Sequence, residues 1–169
     1  MFDVLVEKVE MDFALKQIFP IIMELPILKN PFPKRKRGNK LVSSFARQVG
    51  EEGFDKEPMV LKLIFGICHD NNYKIRTDGV LFLKQYLKNE KVKSHPRLKE
   101  QYIPEVIDLL NDEEAYIRIE ALEITTDFVD FLTPEEVERE YVQAVLKTID
   151  VGIEEIVMRL AYMLGNVIY

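Results

Sequence analysis

Residues 101–112 read QYIPEVIDLLND, and three other stretches repeat their pattern: IFPIIMEL at 18–25, VLKLIFGICHD at 60–70 and EYVQAVLKTID at 140–150. Pro20, Lys62, Pro104 and Val142 align at steps of 42, 42 and 38 residues. The residue before each anchor is apolar: Phe19, Leu61, Ile103 and Tyr141. Apolar residues return two and three positions after it as Ile22 and Met23, Ile64 and Phe65, Val106 and Ile107, and Ala144 and Val145. Offsets of −1, +2 and +3 lie on one face of a helix, so each stretch predicts an amphipathic helix.

A second helix is predicted after each first one. Arg37, Arg76, Arg118 and Arg159 recur at steps of 39, 42 and 41, each followed four residues later by an apolar side chain: Leu41, Val80, Leu122 and Met163. Asp70, Asp112 and Asp150 close the first helix of the last three units. A carboxylate there can accept hydrogen bonds from the free N–H groups that open the next helix. In the first unit the turn is enlarged to ILKNPFPKRKR at 27–37, has no such Asp, and its prolines place the helix start at Arg37. In the last unit Arg159 follows Asp150 by nine residues, whereas Arg118 follows Asp112 by six.

Punctuation agrees with this division. Thr133-Pro134-Glu135-Glu136 combines a hydroxyl cap, a proline in the first turn and a glutamate three residues after the cap. Ser94-His95-Pro96 opens the helix that carries Tyr102 and Ile107, and Gly50 and Gly53 flank a break. Helices are predicted near 2–9, 11–26, 37–49, 55–69, 72–89, 97–111, 114–132, 134–149 and 153–168. No apolar–polar alternation bounded by hairpin signals occurs, so the fold class is all-α. The units fall at about 11–50, 54–89, 97–132 and 134–168, one array over residues 1–169. A period of about 40 residues is that of HEAT and armadillo arrays.

Composition sets the broad class. Apolar residues at 47% and charged residues at 31% describe an ordinary folded chain. A net charge of −6 argues against a general attraction to nucleic acid. A single cysteine allows no internal disulfide and fits a reducing, cytoplasmic location. No apolar run reaches the roughly 18 to 20 residues of a membrane span. The opening MFDVLVEKVEMD carries acids where a signal peptide carries bases. The apolar Phe2, Val4, Leu5, Val6 and Val9, and a final Leu164-Gly165-Asn166-Val167-Ile168-Tyr169 without a polar cap, lead us to expect a segment of a longer array.

Ile103, Pro104, Leu109, Leu110, Asp112, Ile117, Arg118, Ala121 and Leu122 together resemble the HEAT consensus. Residues 70–150 are most similar to the repeats of scaffold and regulatory subunits of type 2A-like serine/threonine phosphatases. That resemblance implies an α-α superhelix with the first helices convex and the second concave. It implies a non-catalytic scaffold that binds a phosphatase catalytic subunit through its concave face and its turns. A HEAT-repeat adaptor in transport or cytoskeletal assembly is the alternative. Carried over by position, the protein-binding ridge holds Asn71, Asn72, Tyr73 and Lys74, then Glu113, Glu114 and Tyr116, then Glu154 and Glu155.

Other candidates are few. Cys68-His69-Asp70 could suggest a nucleophile and base, but adjacent helical side chains point about 100° apart. A helix end is expected instead, with Cys68 buried and Asp70 capping. His95 is the only other histidine, too few for a histidine metal site. With no phosphate loop and no nucleophile elbow, we expect no enzyme, no cofactor, no metal and no small-molecule substrate. Lys34, Arg35, Lys36 and Arg37 form one dense basic run. It reads as a solvated turn, or as an anion-binding patch or nuclear localisation signal. Arg76, Arg118 and Arg159 are expected to bond acidic or carbonyl groups and set the stacking of the units. Tyr73 and Tyr116 are either exposed anchors or packing residues.

Overall fold

The computed structural model describes residues 13–18, 20–21, 24, 30–52, 57–88, 100 and 102–167. Most of them are helical, and among the described residues there is no strand. The helix predicted over 2–9, most of that over 11–26, and Gly53, Ser94, His95 and Pro96 lie outside them. The chain divides into two compact units, residues 1–89 and 90–169.

In the first unit a π-helical turn, Ala14–Ile18, precedes three helices: α1 Phe32–Glu52, α2 Glu57–Cys68 and α3 Tyr73–Leu87. These three pack on one another. Ile64, Ile67 and Cys68 of α2 meet Ile75, Val80, Leu83 and Leu87 of α3 in the core, and Val42 of α1 is buried too. Fully burying side chains of this kind contributes about 1.5–3 kcal/mol each. The two helices of the pair approach closely at Gly79, where an added Cβ would stand 2.8 Å from the Cys68 backbone nitrogen.

α1 starts at Phe32, five residues before the expected Arg37. The prolines do not delay it. Pro33 sits in the first helical turn, where backbone N–H groups have no intrahelical acceptor and a missing one costs nothing. The basic run is therefore helical and not a turn.

The second unit holds α4 Ile103–Leu109, α5 Ala115–Thr126, a 3₁₀ turn Val129–Phe131, α6 Pro134–Glu136 and α7 Gln143–Ile149, the last two joined by π-helical Val137–Val142, and α8 Glu154–Val167. α5 packs on α4, α7 and α8. Ile117, Ile119, Ala121 and Leu122 are accordingly all buried. The capping box at Thr133 forms: its Oγ1 accepts from the Glu136 N–H at 3.2 Å, and the Glu136 carboxylate accepts from the Thr133 N–H at 2.8 Å. α5 ends at Thr126, short of the expected 132. The Thr125 and Thr126 hydroxyls donate back to the carbonyls of Ala121 and Leu122, and Phe128 turns into the core.

Candidate functional site

The turns inside the helix pairs are held by an arginine at the fourth position of the helix that follows. Arg118 Nη1 donates to the Asp112 and Glu113 carbonyls at 2.8 and 2.9 Å, in the turn that follows the preceding helix. The same guanidinium reaches the next pair, donating to the Lys147 carbonyl at 3.2 Å and to Thr148 Oγ1 at 3.3 Å. Arg76 donates to the Asp70 carbonyl at 3.0 Å. Arg35 donates to the Asn30 carbonyl at 2.8 Å and forms a buried ion pair with Asp70 of the next turn, Nε to Oδ2 2.9 Å. In Arg35 and Arg118 one planar fork thus ties its own turn to the next helix pair. Lysine has no such geometry.

These contacts correct the arginine register. Arg35, Arg76 and Arg118 are equivalent, at steps of 41 and 42 residues; Arg37 is exposed and is not part of the series. Arg159 is not equivalent either. It reaches from α8 to Glu120 and Glu123 of α5 at 2.7 and 2.6 Å. The fourth position of α8 is Val157, so the extra residues between Asp150 and Arg159 moved the arginine onto another face.

The aspartates act one step earlier than expected. Asp70 and Asp112 accept from the N–H groups of Asn72 and Glu114, both at 2.8 Å, and these are the cap residues themselves. Asn72 then caps α3 by accepting from the Lys74 N–H at 3.1 Å. Glu114 caps α5 by backbone position alone. Asp150 has no corresponding bond among the described contacts; Gly152, with φ +67°, makes that turn.

Around these clamps several of the turn residues are exposed. Asn71 accepts from Arg35 at 3.2 Å. Tyr73 is 46% exposed, with the Lys74 ammonium 5.8 Å from its ring centre. In the second unit Glu113, Tyr116, Glu154 and Glu155 are exposed. Tyr116, 43% exposed, donates to Glu155 Oε2 at 3.2 Å, which brings the two predicted ridge turns of that unit together. Both readings of Tyr116 hold in part: its hydroxyl meets the next pair while its ring faces solvent. The bond and the Glu155 charge hold the Tyr116 phenol above the usual tyrosine range.

The basic run separates into one structural and three surface residues. Arg35 is buried, whereas Lys34, Lys36 and Arg37 are exposed. Cys68 is buried, the neighbouring His69 is exposed, and Asp70 is buried in its ion pair, so the three residues face different surroundings. Among the described residues no helix is long and apolar enough to cross a membrane, and no cluster of three metal-ligating side chains occurs.

Sequence reasoning placed Arg35 in a basic run and missed its clamping role, and it missed Gly79. Counting back from each arginine to its turn, and not forward from the prolines, would have found the first. Gly79 shows only as a small residue on an apolar face. No protein-family model matches the chain, and a comparison with curated proteins finds no match.

Proposed function

We propose that this chain is a non-catalytic, cytoplasmic protein-binding scaffold of HEAT-repeat solenoid type, a regulatory subunit for a serine/threonine phosphatase catalytic subunit. One observation carries the reading: the same arginine clamp recurs in both units at a near-constant step, and beside two of its three instances, Arg76 and Arg118, a tyrosine in the first turn of the following helix is exposed. Stacked helix pairs need a device that joins each pair to the next, and exposed tyrosines on rigid turns suit partner anchoring. The wording of residues 72–124, DEEAYIRIEALEI included, is similar to regulatory subunit 4 of protein phosphatase 4.

Affinity purification of the tagged chain from cell extract, with partners identified by mass spectrometry, tests this. The expected result is recovery of a phosphatase catalytic subunit, reduced about tenfold or more by Tyr73→Ala with Tyr116→Ala. Recovery of transport or cytoskeletal components alone would replace the phosphatase reading with the adaptor one.

A further inference from the structure

The first two turns of α1 carry a groove of about 300 Å³ lined by Phe32, Pro33, Lys36, Arg37 and Lys40. All three cations are exposed, and the first turn of α1 has no acidic residue. From α3 the half-buried Asp78 faces Lys36, Asn39 and Lys40. That is one carboxylate against three cations, and among the described residues none is paired with Arg37. The Lys36 ammonium lies 6.0 Å from the Phe32 ring centre, so charge and apolar surface share one wall.

We propose that this groove is a second docking site, distinct from the turns, for an acidic peptide segment of a partner protein. Charge complementarity identifies the occupant. On a chain of net charge −6, an acidic segment is repelled elsewhere and steered to this patch. Spacing favours a peptide over a lone anion: Lys36 and Lys40 lie about 6 Å apart along the helix axis. Alternate residues of an extended strand are about 6.6 Å apart, so two carboxylates meet two ammonium groups at once. Arg37 takes a carboxylate in its fork, and an adjacent leucine or phenylalanine covers Phe32 and Pro33.

The test is fluorescence anisotropy of the full chain with a labelled peptide bearing glutamates at alternate positions beside one leucine. Binding that weakens with added salt, by about tenfold with Arg37→Glu and severalfold with Phe32→Ala, is the expected result. Tyr73→Ala with Tyr116→Ala leaves it unchanged, which separates this site from the turns. Equal binding of the glutamine-substituted peptide overturns the proposal, as does unchanged affinity in an Arg37→Glu chain with native circular dichroism. Binding of inorganic phosphate, phosphatidylserine vesicles or duplex DNA without the peptide overturns it too. If Arg37→Glu loses helix content, Arg37→Gln with Lys40→Gln decides by the same criteria.

Discussion

Arg118 illustrates what a single side chain contributes. It is buried, and its fork meets three carbonyls and a hydroxyl. Removing it takes the donors from these turn and helix-end acceptors, which are part-buried. Arg118→Ala is expected to cost about 2–4 kcal/mol in urea denaturation, and Arg118→Lys to recover less than half of that. Arg35→Ala strands the buried Asp70 carboxylate and is expected to cost about 3–5 kcal/mol. Tyr116 adds a pH dependence. Its phenol is held above the usual value of 10.0 by the hydrogen bond to Glu155 and then by the Glu155 charge. A raised folded value means that its contribution is fully present below pH 10.0 and is lost as pH rises through the folded value. In a spectroscopic alkaline titration, Tyr116→Phe should remove one phenol that titrates above pH 10.0.

Between elements, close approach and polar bridges set the packing. α3 comes so near the end of α2 at Gly79 that a methyl group would overlap the Cys68 backbone. Gly79→Ala should therefore destabilise the first unit by about 1–3 kcal/mol, although alanine is the better helix former. Thermal unfolding checks this, and a raised midpoint would show that the pair has slack. In the second unit Asn111, just past α4, donates to Glu140 at 2.9 Å and accepts from Lys147 of α7 at 3.3 Å. The Asn111 bond, followed by that of Arg139, holds the Glu140 carboxyl below the usual glutamate value. Its contribution is present above that value of 4.5 and is lost as pH falls through the folded one. Glu140→Gln should flatten the acid side of the stability profile.

At the scale of the whole chain, each compact unit has its own core and its own clamp. Arg118→Ala is thus expected to speed amide hydrogen exchange in α5 and α7 more than in α2 and α3. Equal acceleration in both units would mean that they open as one. The last helix pair differs from the one before it. Val142, Leu146 and Ile149, and across the turn Met158 and Tyr162, are exposed, while Ile117, Ile119 and Leu122 of α5 are covered by α7 and α8. Exposed apolar side chains at one pair and buried ones at its neighbour record what packs on each, not a change in composition.

The helical period, the pairing of helices and the capping box at Thr133 were legible in the sequence alone, because apolar spacing and cap chemistry act within a few residues. The burial of α5 did not follow from that spacing: Ile117 to Leu122 are buried without a break, because helices pack on it from several sides. Tyr73 and Tyr116 were expected on the turns, either exposed or packed; both are exposed, but in the first turns of α3 and α5. The start of α1 was not, because a proline stops a helix in its interior yet fits its first turn. Nor was the arginine register. Four arginines at nearly equal steps look alike in sequence, but which carbonyl each reaches depends on the face it occupies, and a shift of two or three residues turns that face away. Tertiary packing decided that Arg35 and not Arg37 holds the first turn, and that Arg159 bonds Glu120 and Glu123. The basic run followed the same rule: burial against Asp70 made one of its residues structural and left its neighbours to solvent.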